Sequence, residues 1–270
     1  MSTEAAPAPG WFTLARGRAT LELRLFLRDR QQLVFSFLYP VIMLVIFGSV
    51  FHGQHVAGDV SYVRYFLAGI AATGVMLTSF QNLGISIPVE RDQGELARLQ
   101  SLALPPISYF FGKAGQIVVL ALAQLVALVV VARLAFDVPL PADATHCTTL
   151  AWAAVLGAAA GTALGVAVSS LPSSSRSAGA VVAPIALVLQ FFSGVFFVFT
   201  ELPPWMRQIA ALFPLKWLTQ AMRSAFLPDA ARAAEVAGGW ERGECALVLA
   251  AWAAGGALLA WRTFSWRPRE

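Results

Sequence analysis

Residues able to bind metal ions or form disulfides are few in the sequence. His52 and His55 form an HxxH pair, and Asp59 follows four residues later. Imidazole and carboxylate groups at such spacing could hold a metal ion, although a polar turn at a membrane surface is the favoured interpretation. Cys147 and Cys245 show neither CxxC nor mixed Cys/His ligand spacing. The sequence therefore predicts neither a disulfide framework nor a structural zinc site.

Gly112-Lys113 matches only part of a phosphate-binding motif. A nucleotide-binding loop follows the pattern GxxxxGK[ST], in which backbone N–H groups and the lysine surround the phosphates. Here Ile107 stands in place of the first glycine and Ala114 in place of the hydroxyl residue. We therefore predict a non-enzymatic chain without a nucleotide site, cofactor or catalytic residue. Any ATP and Mg²⁺ would be bound by a partner subunit.

The most distinctive charged segment covers residues 88–102, PVERDQGELARLQSL, between two apolar stretches. Pro88 suits the first turn of a helix, and the acidic residues after it suit the positive N-terminal end. Leucines at positions 96, 99 and 102 recur at helical spacing, and Pro105-Pro106 would end the helix. The pattern predicts a short amphipathic helix. Two locations fit it equally, the lipid headgroups or a groove on a soluble partner.

The composition of the chain predicts which kind of structure holds these residues. The 270-residue chain is 58% hydrophobic and 13% charged, against about 45–50% and about 25% in average soluble domains. A soluble enzyme would need many more charges to cover its surface. The net charge of +4 is dispersed along the chain, so nucleic acid is not a predicted partner. The predicted fold class is an all-α polytopic membrane protein in a lipid bilayer.

Six apolar stretches are long enough to cross a bilayer about 30 Å thick, at about 20 residues per helix. They cover residues 32–51, 63–87, 107–132, 149–170, 178–199 and 244–261. Lysine and arginine are concentrated on the N-terminal side of the membrane, which predicts cytoplasmic termini. The expected location is the plasma (bacterial inner) membrane. The cytoplasmic parts of this single transmembrane domain are then residues 1–31, 88–106 and 262–270.

Two further segments are patterned but are not spans. Residues 11–30 place apolar side chains near one helical face and Arg16, Arg24 and Arg28 along another. This predicts either an interfacial amphipathic helix or an ordinary cytoplasmic lead-in. On the outer side, the 200–243 connection contains a semi-apolar stretch between prolines, at residues 201–213. We predict a re-entrant hairpin there, with Trp205 as an interface anchor.

No Asp, Glu, Lys or Arg lies in the middle of a predicted span. Carriers coupled to protons or sodium usually have such groups, so their absence argues weakly against ion coupling. Aromatic and amide side chains would suit a path for an amphipathic substrate. The candidates for this path are Phe35, Tyr39, Gln81, Asn82, Gln190, Phe192 and Phe196. Glycines at positions 157, 161 and 165 favour close packing within the chain over a dimer seam.

Two stretches make the sequence resemble the type-2 ABC (ATP-binding-cassette) export permeases, which include drug, nodulation-factor and polysaccharide exporters. Residues 90–113, ERDQGELARLQSLALPPISYFFGK, are similar to the family's inner-loop motif. Residues 184–228 are similar to its fifth span, outer hairpin and following loop. The chain departs from the family at Leu102-Ala103, where Thr-Pro is common, and at Glu95, where Thr is common.

The resemblance implies a permease homodimer, or a heterodimer with a related chain, that pairs with two separate ABC ATPase subunits. Such a complex would move a hydrophobic, amphipathic or lipid-linked substrate outward. The inner helix would be the coupling helix, with docking charges at Glu90, Arg91 and Arg98. Leu96 and Leu99 would fill the groove of the ATPase. The implied coupling residues are Glu90, Arg91, Asp92, Gly94, Leu96, Arg98 and Leu99.

Two other functions stay open on the residues alone. An ion-coupled secondary transporter would stop working when the proton gradient is dissipated while ATP is preserved. A membrane enzyme or an assembly factor would act without an ATPase of its own, and the enzyme would form product in vesicles with no second subunit present.

Overall fold

The computed structural model of the chain describes residues 10–56, 60–141 and 143–266. Within these ranges the chain is a helical bundle with one short hairpin, in which β1 (His55–Val56) pairs with β2 (Val60–Ser61) in antiparallel register. The helices are α1 (Trp11–Arg28), α2 (Arg30–Val50), α3 (Tyr62–Met76), α4 (Asn82–Asp92), α5 (Glu95–Ser101), α6 (Pro106–Phe136), α7 (Ala144–Val168), α8 (Ser175–Phe192), α9 (Pro204–Ala211), α10 (Pro214–Phe226) and α11 (Arg242–Thr263).

The described residues contain six segments that are long and apolar enough to cross a membrane, which confirms the predicted fold class. They are Arg30–Val50, Tyr62–Asp92, Pro106–Phe136, Ala144–Val168, Ser175–Phe192 and Arg242–Thr263. The second joins α3 and α4 through a π-helical turn, Leu77–Gln81. This span lies at the centre of the bundle and is the most buried of the six.

Small residues allow the other elements to approach the central span closely. A Cβ atom added at Gly69 of α3 would lie 2.7 Å from the carbonyl oxygen of Val195. On α7, the space next to Gly157, Gly161 and Gly165 is filled by α10, the π turn and α4. The three glycines therefore serve packing within the chain, as the sequence predicted.

The N-terminal segment forms the predicted amphipathic helix, α1, which packs along α6. Ala15 and Phe26 are buried in this seam, while the arginines of the opposite face are exposed. Gly112 of α6 admits the side chain of Arg18, because a Cβ atom there would lie 2.6 Å from it. The seam thus brings α1 against the part of α6 that follows the inner loop.

Two predicted elements have different bounds in the structure. Pro88 does not begin the inner helix, because α4 continues through it to Asp92. The chain then turns at Gly94, whose φ of +78° favours glycine, and the inner helix is only the seven residues of α5. In the outer connection, α9 is followed by a second helix, α10, where we predicted a loop.

Helix α10 was missed because it is short and carries Lys216, Gln220 and Arg223. All three side chains are buried in the structure, against α3, α7 and the chain that precedes α11. The polar residues face protein rather than lipid, so hydropathy alone does not identify the helix.

Candidate functional site

A cavity of about 760 Å³ lies between α2, the central span, α6 and α8. Its size falls within the range of about 300–1,000 Å³ that is usual for small-molecule sites. Its described lining residues are Phe26, Gln32, Phe35, Ser36, Phe37, Tyr39, Pro40, Leu77, Thr78, Gln81, Asn82, Ile85, Ser86, Leu120, Gln124, Ala183, Pro184, Leu187 and Gln190. Aromatic rings, amides and hydroxyls therefore share one space at the depth of the spans.

The π turn of the central span determines which side chains enter this cavity. Thr78, Gln81 and Asn82 line the cavity, while Ser79 and Phe80 are buried towards α7. The hydroxyl of Ser79 donates to the carbonyl oxygen of Val75 at 2.7 Å, a local bond that competes with regular helix geometry. Turns of this kind are frequent at functional sites.

Part of the polar lining is held by hydrogen bonds inside the cavity wall. Thr78 donates to the side-chain oxygen of Gln124 at 3.0 Å, and the amide nitrogen of Gln124 donates to the carbonyl oxygen of Ser36 at 2.8 Å. Across the cavity, the hydroxyl of Tyr39 on α2 lies 3.5 Å from the side-chain oxygen of Gln190 on α8. The first pair of bonds fixes the wall between the central span, α6 and α2, and the longer contact joins α2 to α8.

The amides of Gln81 and Asn82 have no hydrogen bond to any described residue. Both side chains are half-buried and both line the cavity. Because both amides face the cavity with their donors and acceptors unused, they are suited to bind something that enters it.

Five of the seven predicted path residues come together in this cavity: Phe35, Tyr39, Gln81, Asn82 and Gln190. The other two do not line it. Phe192 packs near Trp205 at the end of α8, with ring centroids 6.0 Å apart. Phe196 packs against Phe47, and its carbonyl oxygen accepts a hydrogen bond of 2.7 Å from Tyr62. Both belong to the packing on the predicted outer side.

Sequence reasoning missed Ser36, Thr78 and Gln124 as members of the cavity wall. Thr78 lies just before the Gln81-Asn82 pair, and Gln124 is a single amide in an otherwise apolar stretch of α6. The same argument that selected Gln190, an amide among apolar residues, would have selected Gln124.

At the end of the bundle that we predict to be cytoplasmic, the charged loop divides into a buried and an exposed part. Glu90, Arg91 and Leu96 are buried within this chain, and Leu99 is half-buried. Asp92, Gly94 and Arg98 are exposed. The side chains of Glu90, Arg91 and Leu96 contact the bundle itself, and the docking roles that the resemblance implied for them stay predictions.

Glu90 belongs to a buried cluster of charges that joins α1, α4 and α6. Its carboxylate contacts the ammonium group of Lys113, lies 3.7 Å from the guanidinium of Arg18 and accepts a 3.0 Å hydrogen bond from Tyr109. Lys113 also lies 2.9 Å from Glu22, which is paired with Arg18 in turn. Two positive and two negative side chains therefore balance each other between the three helices.

The next two residues of the loop reach other helices. Arg91 donates to the carbonyl oxygen of Ser169, at the end of α7, at 3.3 Å and to that of Ser265, after α11, at 3.1 Å. The carboxylate of Asp92 accepts a 2.5 Å hydrogen bond from the backbone N–H of Ser175, the first residue of α8. Three consecutive side chains thus fasten the end of α4 to five other helices.

A second buried cluster lies on the opposite side, around α10. Arg223 is fully buried, donates to Glu235 at 3.0 Å and lies over the ring of Tyr65. Burial acts to lower the pKa of Arg223, but the carboxylate of Glu235 outweighs it and the pKa is raised. Burial lowers the pKa of Lys216, which donates to Gln220 at 2.6 Å. These contacts hold the outer connection against the central span.

The histidine pair shows no metal-binding arrangement in the described part of the chain, where no group of three His, Cys, Asp or Glu side chains could hold a metal ion. The ring of His52 lies 6.5 Å from that of Phe136, and His55 is in β1. Asp59 lies outside the described residues. Cys147 is exposed and Cys245 is buried, and both are free thiols.

Comparison with known proteins agrees with this architecture. A family model described as ABC-2 type transporter matches residues 19–227, which is more than half of the chain. A protein of Porphyra purpurea that is named as a transport permease, ycf38, is 28% identical over 210 residues, covering 74% of this chain and 70% of the relative. The chain therefore belongs to the ABC-2 type transporter family and is a multi-pass transport permease.

Proposed function

We propose that this permease is the membrane subunit of an ATP-driven exporter, in which separate ABC ATPase subunits dock on α5 and drive changes in the cavity. The observation that carries the proposal is the construction of the charged loop. Its exposed helix, α5, follows the end of α4 after the turn at Gly94. Side chains at that end of α4 bind neighbouring helices, among them α6 and α8 of the cavity wall. A force applied to α5 would therefore reach the cavity walls through bonded contacts.

The docking surface is the exposed face of α5. Glu95 and Arg98 are exposed, and neither has an ion-pair partner among the described residues. Leu102, just after the helix, is 69% exposed, while Leu96 anchors the opposite face in the core. A short helix with free charges of both signs and an exposed leucine fits a groove on a soluble subunit better than it fits lipid headgroups.

Two contacts connect this surface to the cavity. Asp92 holds the first turn of α8, and the same helix contributes Gln190 to the cavity wall. Glu90 holds Lys113 of α6, whose later residue Gln124 lies in the wall opposite. Movement of α5 relative to the bundle would change the separation of these walls, which is the step that an exporter needs.

Reversing both exposed charges, Glu95→Lys with Arg98→Glu, is expected to reduce co-purification of the ATPase and ATP-driven transport by at least about tenfold. Like charges facing each other at an interface cost several kcal/mol, and about 1.4 kcal/mol corresponds to tenfold in affinity. The measurement is quantitative mass spectrometry of the ATPase recovered with the tagged permease. Arg24→Glu, an exposed charge reversal on α1, is the matched control.

Retention of the ATPase by the doubly reversed variant, with a normal elution profile in detergent, would show that α5 is not the docking surface. Energy coupling is tested separately in cells. Dissipating the proton gradient while ATP is maintained should leave transport running, whereas an ion-coupled carrier would stop.

A further inference from the structure

We propose that the cavity selects an uncharged amphiphile that carries hydroxyl or carbonyl groups beside a hydrophobic body, and that Gln81 and Asn82 recognise its polar groups. The inference rests on the proposed function, because it names the class of substrate that the cavity would take. It depends on the absence of charge in the lining, on its aromatic rings and on its hydrogen-bonding groups.

The lining excludes charge. Of the nineteen described residues around the cavity, nine are polar but none is Asp, Glu, Lys, Arg or His. Of the charged side chains in the inner segment, Glu90, Arg91 and Asp92 bind groups on neighbouring helices, while Glu95 and Arg98 are exposed on α5. A permanent ion in the cavity would lose its hydration without gaining a counter-charge, which is unfavourable at the depth of a bilayer.

Aromatic rings do not replace the missing counter-charge. Phe26, Phe35, Phe37 and Tyr39 lie along one side of the cavity and could contact a cation through their ring faces. Such contacts are weak compared with the loss of hydration of a buried ion. The rings are better suited to the hydrophobic body of a ligand.

The hydrogen-bonding groups determine the polar part of the ligand. Gln124 and Thr78 satisfy each other, so they present little unused capacity. Gln81 ends the π turn and Asn82 begins α4, and the amides of both line the cavity unpaired among the described residues. Each amide offers two donors and one acceptor, which matches hydroxyl and carbonyl groups that can accept or donate.

The test uses protection of a cysteine placed in the cavity. Ser36→Cys is made in a chain with Cys147→Ser and Cys245→Ala, and the full-length protein is placed in lipid nanodiscs without any ATPase. The rate of labelling by N-ethylmaleimide is measured with three probes of equal chain length and equal mole fraction: decyl glucoside, decyl sulfate and decyltrimethylammonium. Leu134→Cys, on an exposed apolar face of α6, is the control for effects on the bilayer.

The glucoside should slow labelling of the cavity cysteine about tenfold more than either ion, with no such difference at position 134. Gln81→Leu with Asn82→Leu should remove most of this difference, since two hydrogen-bonding groups are lost. Equal or stronger protection by the cation or the anion, or no protection by the glucoside, would overturn the assignment. The labelling needs no ATP, so an absence of ATP-driven transport would count against the proposed function and leave this result unaffected.

Discussion

Replacing Arg223 by methionine is expected to lower the free energy of unfolding by about 3–5 kcal/mol, because it leaves the buried carboxylate of Glu235 without a counter-charge. The guanidinium also lies over the ring of Tyr65, so the variant loses a contact to the central span. Thermal unfolding in detergent micelles measures the effect, and a decrease in Tm of about 10 °C corresponds to this energy at about 2–4 °C per kcal/mol.

The matched variant removes both charges, Arg223→Met with Glu235→Leu. Buried ion pairs contribute little net stability compared with apolar pairs of similar volume, so most of the lost stability should return. If the double variant is as unstable as the single one, the loss comes from packing around Arg223 rather than from the unpaired carboxylate.

The second large effect is expected at Glu90. Alanine at this position leaves Lys113 and Arg18 facing a single carboxylate, that of Glu22, and removes the acceptor of Tyr109. We expect a loss of about 3 kcal/mol in stability. Transport should be lost as well, because the same side chain holds the end of α4 to α6. Thermal unfolding and ATP-driven transport of the purified complex measure the two effects.

A balanced variant separates charge from packing at this site. Glu90→Gln with Lys113→Gln leaves the pair of Arg18 and Glu22 intact and no unbalanced charge. It should be more stable than either single glutamine variant. A strictly additive loss of stability in the double variant would mean that the two side chains are not coupled as the structure describes.

The spans were predictable because lipid imposes a simple requirement. Each crossing helix needs about 20 apolar residues, and this pattern is local in the sequence. The amphipathic face of α1 was predictable for the same reason, because its pattern is also local in the sequence. Local patterns did not identify α10, because its polar side chains are buried by residues outside the helix, among them Tyr65 and Glu235.

The charged loop shows where local patterns mislead. Pro88 on its own favours the first turn of a helix, but α4, which packs against α7 and α8, continues through it. Leu96 lies on the apolar face for which the resemblance implies docking on a partner, yet it is fully buried within this chain. Only the three-dimensional positions of α1 and α6 show that Glu90 faces Arg18 and Lys113.

The cavity was partly predictable for a chemical reason. An amide in an apolar stretch needs a partner, and this argument selected Gln81, Asn82 and Gln190, which the structure places in one cavity. It could not exclude Phe192 and Phe196 from the cavity lining, because an aromatic ring is equally compatible with lipid, with a protein core and with a ligand. The π turn, which sets the faces of residues 77–81, has no signature that we could identify in the sequence.

Nucleotide binding by docked ATPase subunits should cause a conformational change that reaches the cavity through α5. It is tested most directly by the labelling rate of the Ser36→Cys reporter in the complex with its co-purified ATPase, compared without nucleotide and with ATP and vanadate. We predict a change of at least about threefold in the complex, and none when nucleotide is added to the permease alone. The Leu134→Cys control should not respond in either case. A rate at position 36 that is the same with and without nucleotide in the ATPase-bound complex would contradict the account.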